Sequence, residues 1–388
     1  MRVRGWIPVG AFLLWAAPLL PAQQPTPLGR PVAEFEEPFS RVSGLRELAD
    51  GRVVVSDQRD KVVQLIDLQR QTARRISREG SGPGEYALPT SLFALPNDRS
   101  LLVDLPNRRF LLINPDGTPG ETISPPSLNT GGPVQIGGLM NPRGVDAQGR
   151  LYFQEPGFRM DGPAPDSVAV LRWTPGQTRV DTAAWVKGPP TTMTTTPAGA
   201  GGGGGGGMRF TMGTSVVWAP QEAWAVAGNG RVARVQPEPY RVVWYDANRR
   251  GTAGPSVPYS PIRVTDADKR AYLEQQAANP PTIVMMGGGG GASVQRPQMP
   301  EPTFAETKPA FSGTSAVLAS PEGEVWVLRT RPASDHTPVY DVFDASGRLA
   351  RKVSLARGSR VVGFGRNSIY VVRTDEDDLE YLQKFMRP

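Results

Sequence analysis

"REGSGPGEYALPT", Arg78 to Thr90, places glycine at three alternate positions, Gly80, Gly82 and Gly84. Two kinds of protein use such a run. In a nucleotide-binding loop the glycines follow a buried strand, open a helix and let backbone N–H groups reach a phosphate. In an all-β protein they let the chain turn tightly between sheets, because glycine tolerates positive φ. The chain continues here as "YALPTSLFAL", with Pro89 inside it, no helical period and no Gly-Lys-Ser/Thr. The glycines are therefore expected to mark a crossing from one sheet to the next.

The stretch after the crossing is "LPNDRSLLVDLPNRRFLLINPDG", Leu95 to Gly117: a turn, an apolar strand, a short polar loop, a second apolar strand and a glycine turn. The pattern recurs. "LADGRVVVSDQRDKVVQLIDLQ" (Leu48 to Gln69) precedes it, and "DAQGRLYFQEPGF" with "SVAVLRWTPG" (Asp146 to Gly176) is a third copy. Weaker in pattern is the fourth, "APQEAWAVAGNG" with "YRVVWYDANRRG". The fifth is "SPEGEVWVLRTR" with "PVYDVFDASGR", and the sixth "GFGRNSIYVVRTD" with "LEYLQKFM". Each run is short, β-branched and bounded by Gly, Asp, Asn or Pro, as strands are. Nothing between them has a helical period. Small antiparallel sheets of this kind bury both faces by stacking radially, which predicts an all-β fold: a six-bladed β-propeller with four-stranded antiparallel blades. With the long inserts 187–213 and 258–312 set aside, the copies average about 47 residues, enough for four strands each. The sixth copy has only three strands before the chain ends, whereas "PVAEFEEPFSRV" (31–42) has no sheet of its own. It is expected to supply the outer strand of the last blade, closing the ring and removing an open edge.

With the repeat in place, "GSGPGEYALP…LLVDLPNRRFLLINPDG" resembles an NHL-type repeat of the six-bladed propellers of exported bacterial proteins. The residues that carry the resemblance are Gly80, Gly82, Gly84, Tyr86, Pro89, Asp104, Asn107 and Arg109. The first copy keeps only Asp57 with Asp60 and Lys61, and copies three to six lose the Asn–Arg part. The resemblance implies a propeller used as a binding scaffold and implies no activity, since unrelated activities share this fold.

Strand parity then locates a site. Crossings between blades and loops between second and third strands share one face. On that face the expected ligand-binding residues are Asp57, Arg59, Asp104, Arg108, Glu155, Arg159, Arg231, Arg329, Arg331 and Arg373. Arginine in such a funnel suits a polar or anionic ligand, because its planar fork binds bidentately. The competing reading is that Asp57, Asp104 and Glu155 cap turns and pair with nearby arginines. Both inserts emerge on the same face, on either side of blade four, and are low in complexity. Within the second, "TDADKRAYLEQQAA" (Thr265 to Ala278) reads as a short helix with Thr265 as N-cap and Asp268 three residues on, docked through Tyr272 and Leu273.

Composition narrows the rest. There are 44 Gly, 40 Pro, no cysteine and one histidine, His336, so disulfides, thiolate zinc sites and His-rich metal centres are excluded. The charge of +6 includes Arg2 and Arg4, and no Lys/Arg cluster alternates with aromatics, so nucleic acid is not an expected partner. Met1 to Arg4 is a basic start, "GWIPVGAFLLWAAPLL" an apolar stretch, and Ala22 a small residue before "QQPTP". That is a signal peptide over 1–22, giving an exported protein, periplasmic or extracellular, whose mature part (23–388) is one monomeric propeller with no membrane span. "TDEDDLE" (374–380) lacks the order of a calcium loop, and His336 has no Gly-x-Ser-x-Gly partner. Two functions stay open. One is a non-catalytic scaffold, without cofactor, that binds a peptide, glycan or partner protein. The other is a hydrolase or lyase, lactonase-like, with a divalent cation in the central channel held by Glu155, Asp57 and Asp104.

Overall fold

Six antiparallel sheets of four strands stand around a common axis in the computed structural model, which describes residues 24–126, 141–155, 165–188, 193–197, 208–212, 216–278, 283–286, 292–295 and 301–388. Blade one runs from the axis outward as Val42–Glu47, Val53–Asp57, Val62–Asp67 and Thr72–Arg75. Blade two is Pro89–Ala94, Ser100–Asp104, Arg109–Ile113 and Pro119–Ile123. Blade three is Gly144–Val145, Leu151–Gln154, Val168–Trp173 and Val180–Val186. Blade four is Ala223–Val226, Val232–Pro237, Tyr240–Tyr245 and Gly251–Ala253, and blade five Val317–Ala319, Val325–Leu328, Val339–Phe343 and Leu349–Ser354. Blade six takes Ser359–Gly365, Ser368–Thr374 and Glu380–Met386 from the end of the chain and its outer strand, Ala33–Glu34, from the beginning. The expected ring closure is thus present, with Ala33 opposite Lys384 and Glu34 opposite Gln383. A second N-terminal contact was not expected: Thr26–Pro27 lies parallel to Val353–Ser354 and adds a fifth strand to blade five.

Burial follows position in the blade. Second strands have blades on both faces, so Val53 to Asp57 and Ser100 to Asp104 are wholly buried, whereas the outer strand Thr72–Arg75 is exposed throughout. Apolar side chains accordingly gather into six clusters, one at each interface between blades. Between blades six and one, Phe35, Phe39, Val53, Val55, Ile66, Tyr370 and Leu382 pack together. Each such side chain contributes about 1.5–3 kcal/mol. Near the axis the inner strands press so close that a Cβ on Gly44 would lie 2.6 Å from the Leu92 amide nitrogen and 2.8 Å from the Thr90 carbonyl oxygen. No other residue fits there.

The glycines of the opening stretch do lie in the crossing between blades one and two, but only Gly84 has positive φ, at 73°. Gly80 and Gly82 serve a different need. Their missing Cβ atoms make room for Glu85, whose carboxylate oxygen would stand 2.1 Å from a Cβ on Gly80.

Both inserts replace crossings that flank blade four, on the face inferred from parity. In the first, Met193–Pro197 pairs with Met208–Met212; in the second, Ile283–Met286 pairs with Ala292–Gln295. These low-complexity stretches thus contain ladders, while 198–207 and 287–291 lie outside the described residues, as do 1–23 with the expected signal peptide. The expected helix is present at Asp266–Ala278. The end of the second insert needs correction: Lys308, Ala310 and Phe311 are buried, and the last two belong to the core between blades four and five. The insert therefore rejoins the ring before residue 312.

Candidate functional site

The carboxylates that end second strands act first on their own backbone. Asp57 Oδ2 accepts hydrogen bonds from the amides of Ser40 (2.7 Å) and Arg41 (3.1 Å), and its Oδ1 from those of Arg59 and Asp60. Asp104, fully buried, accepts from the amides of Ala87 (3.1 Å) and Leu88 (3.2 Å) and from Asn107 Nδ2 (2.7 Å). Each holds the chain as it enters its own blade's inner strand. In blade two the device is extended: Asn107 also donates to the Gly80 carbonyl, and Arg109 donates to the carbonyls of Ser81, Gly82 and Glu85. The residues that carried the family resemblance thus form one staple across the crossing. Asp104→Asn turns one acceptor oxygen into a donor facing Asn107 and Arg109, and is expected to cost about 1–3 kcal/mol in urea unfolding. A change within ±0.5 kcal/mol, the range of ordinary surface substitutions, would show the staple to be slack.

Of the remaining expected site residues, Glu155 accepts from the Ala169 amide (3.1 Å). Arg329 is committed to the ring: it donates to Asp341 (2.7 Å) and the Ala310 carbonyl, and lies over Tyr240 and Tyr259. Arg331 pairs with Asp335, and Arg373 pairs with Glu34 (3.2 Å) and so secures the closing strand. Arg159 lies outside the described residues. Arg231 is on the wrong face. It sits in the turn between the first and second strands of blade four, over Trp244 and donating to the Ala345 carbonyl. The cause is local: "RVARVQP" alternates apolar residues with arginine, and reads as a loop although Val232, Ala233 and Val235 are buried strand residues. Arg59 and Arg108 remain as exposed cations on adjacent loops of the crossing face, without a carboxylate partner among the described residues.

Beside them stands a feature that sequence reasoning missed. The two crossings that carry the inserts are tied together: the Val217 amide donates to the Thr303 carbonyl (2.7 Å) and the Ala305 amide to the Val217 carbonyl (2.9 Å). Trp218, just after the first insert, packs against Tyr272 of the helix and Phe304 of the second insert, with centroids 5.8 and 5.5 Å away. Beneath them Lys308 Nζ lies 4.7 Å from the Trp218 ring and 2.7 Å from Asp268 Oδ1, and also donates to the Arg331 carbonyl. Asp268, three residues after the expected N-cap Thr265, exchanges hydrogen bonds with it, and additionally accepts from the Ala333 amide. Burial opposes its ionisation, but these donors outweigh burial and hold its carboxyl far below the usual carboxylate range. Tyr272 docks the helix as expected; Leu273 does not, being 44 % exposed. Asp268 was legible only as a partner of the cap, and Lys308 carried no signal, because its partner lies 40 residues away.

On the opposite face, a cavity of about 720 Å³ follows the axis and opens among the turns between first and second strands. Its carboxylates are internally satisfied. Glu47 accepts from Lys384 (2.8 Å), Tyr370 (2.8 Å) and the Arg366 amide, and Asp98 meets Arg46 (2.6 Å) and the Ala49 amide. Asp50 at the rim pairs with Arg52 (2.7 Å). Asp146 meets Arg150 (2.6 Å) and the Tyr152 hydroxyl (2.9 Å); burial, then the Asp146 charge, push that phenol up to about 12.

No protein-family model matches the chain, and no curated protein matches it. Solved structures that resemble it over nearly its full length include a DUF4221 family member from Bacteroides vulgatus. It has 8% identity and a TM-score of 0.46, over 92% of this chain and 97% of that one. The calcium-binding protein regucalcin from Agrobacterium tumefaciens has 10% identity over 92% and 96%, TM-score 0.39. A gluconolactonase from Xanthomonas campestris has 10% identity over 91% and 92%, TM-score 0.39. At such identities nothing of their chemistry passes to this chain.

The cation centre of the lactonase-like alternative would need several uncommitted carboxylates at one depth of the channel. Asp57, Asp104 and Glu155 sit at the ends of second strands in three different blades, each spent on backbone amides. Among the described residues no three His, Cys, Asp or Glu side chains are disposed to hold a metal ion. The candidate donors do not fit such a centre.

Proposed function

We propose that the chain is an exported, monomeric, non-catalytic propeller scaffold that engages a peptide, glycan or partner protein with the face carrying its inter-blade crossings. One observation carries the reading: the two longest crossings are knit over a buried Lys308–Asp268 pair into an aromatic cap on that face. Long loops held on a rigid ring are where binding sites are built, whereas the opposite face has mainly short turns such as those at Gly51 and Gly117. The cap presents Val216 and Leu273 to solvent, 40 % and 44 % exposed, and Arg59 and Arg108 add uncommitted cations on the same face. Blade two is read as an NHL-type repeat on the strength of its Asp104–Asn107–Arg109 staple, and export rests on residues 1–22. Among the described residues no helix is long and apolar enough to cross a membrane.

Screening the mature chain on peptide and glycan arrays tests the proposal. Any ligand found is expected to lose about tenfold or more in affinity, roughly 1.4 kcal/mol, when Arg59→Ala and Arg108→Ala are combined with Leu273→Asp. Arg329 is left out of the set because its removal would disturb the ring. A ligand whose affinity survives those changes but collapses on altering the turns at Gly51 and Gly117 would place the site on the other face.

A further inference from the structure

The axial cavity holds positive charge that no carboxylate among the described residues answers. Every carboxylate lining it, Glu47, Asp50, Asp98 and Asp146, has a cation or hydroxyl partner of its own. Two arginines lining it do not. Arg143 and Arg366 have no carboxylate within ion-pair distance among the described residues, and outside the described residues the chain contains a single carboxylate side chain, Asp161. Arg143 is exposed to solvent at the cavity, although partial desolvation lowers its pKa, and its guanidinium carbon lies 6.0 Å from the centre of the Trp224 ring. Arg46, 8 % exposed, shares the cavity wall; its Nη2 is 2.6 Å from Asp98, while Nε and Nη1 have no acceptor among the described residues. A cation desolvated without a counter-charge is costly, and a bound anion offsets that cost.

The two free arginines are also at different depths. Arg366 lies in the turn joining the first two strands of blade six, at the rim. Arg143 precedes the inner strand Gly144–Val145 of blade three, three residues before the turn at Asp146, or about 10 Å along the strand direction. Cations so placed fit a molecule with a negative group at each end better than a compact anion.

We propose that the axial cavity is a binding site for a small dicarboxylate, with Arg143 as the inner and Arg366 as the outer anchor. The site lies on the face opposite the cap and does not depend on the scaffold function. Its walls are strands from all six blades, so it needs no rearrangement to form. Arginine forks bind carboxylates bidentately, which gives the inner anchor orientation as well as charge.

Calorimetric titration of the mature chain at low ionic strength tests this, with succinate, glutarate and adipate as probes against acetate and inorganic phosphate. At least one dicarboxylate is expected to bind saturably, with an optimum in chain length, and about tenfold or more tighter than acetate. Arg143→Gln and Arg366→Gln should each weaken it about fivefold or more, while Arg357→Ala, at an exposed residue of the crossing between blades five and six on the other face, leaves it unchanged. Both arginines are exposed, and Arg366 lies in a surface turn, so its variant reads out the site independently of Arg143→Gln. The proposal is overturned if no dicarboxylate binds saturably, if phosphate binds as tightly as the best dicarboxylate, or if binding is indifferent to Arg366→Gln.

Discussion

Removing residues 24–38 from the mature chain is expected to lower its melting temperature by about 10 °C or more. Phe35 is 1 % exposed in the cluster between blades six and one, and losing a buried phenylalanine costs about 3–5 kcal/mol. The deletion also strips the hydrogen bonds made by the amides of Leu28, Val32 and Phe35 to blades five and six, and leaves Arg373 without Glu34. Glu380–Met386 then becomes an open edge, which favours association between chains. Calorimetry should show the drop, and size exclusion the association. Phe35→Ala alone should reproduce much of the thermal effect, whereas Val32→Ser, at a side chain 54 % exposed, should be nearly silent. An unaltered melting curve for the deletion would mean that the ring closes without its clasp.

The second large effect is expected from Asp268→Ala. The Lys308 ammonium would be left buried without its counter-ion, and breaking a buried pair from one side costs about 3–5 kcal/mol. The loss should be concentrated in the cap: the helix Asp266–Ala278 would exchange its amide hydrogens faster, while strands of blades one and two stay protected. Lys308→Met combined with Asp268→Leu should recover much of the loss, because no charge is then stranded. The pH dependence has a definite sign. The Asp268 carboxyl is held below its ordinary value, so its contribution is complete above the ordinary carboxylate range and is lost only as pH falls through the depressed value. The cap should therefore stay docked at pH 5, and come loose only in strongly acidic solution. Undocking near pH 5, or equal protection of the helix in Asp268→Ala, would refute the role given to the pair.

What could be read from the sequence was whatever depends on neighbours along the chain. Strand periodicity, glycine and aspartate turns and a repeated length identified the blades, their number and the closing strand, because each blade is a meander of contiguous residues. The helix cap at Thr265 was legible for the same reason. Legibility failed where two elements look alike locally: the arginines of "RVARVQP" hid a buried strand and carried Arg231 to the wrong face. The roles of Asp57, Asp104, Arg329 and Arg373 were open as well, since whether a charged group is free or spent depends on which amides and carboxylates the fold brings to it.

The sequence by itself determined that six small antiparallel sheets must stack around an axis, since none can bury both faces alone. It also determined which ends of the strands carry the long loops. Only the tertiary structure decided what those ends do. It joined Val217 to Thr303 and Lys308 to Asp268 across tens of residues, and it surrounded an axial cavity with six strands that are never adjacent in the chain. Charge balance is a property of that enclosed space and not of any segment, which is why Arg143 means nothing in "NPRGV" and stands out only where the ring closes around it.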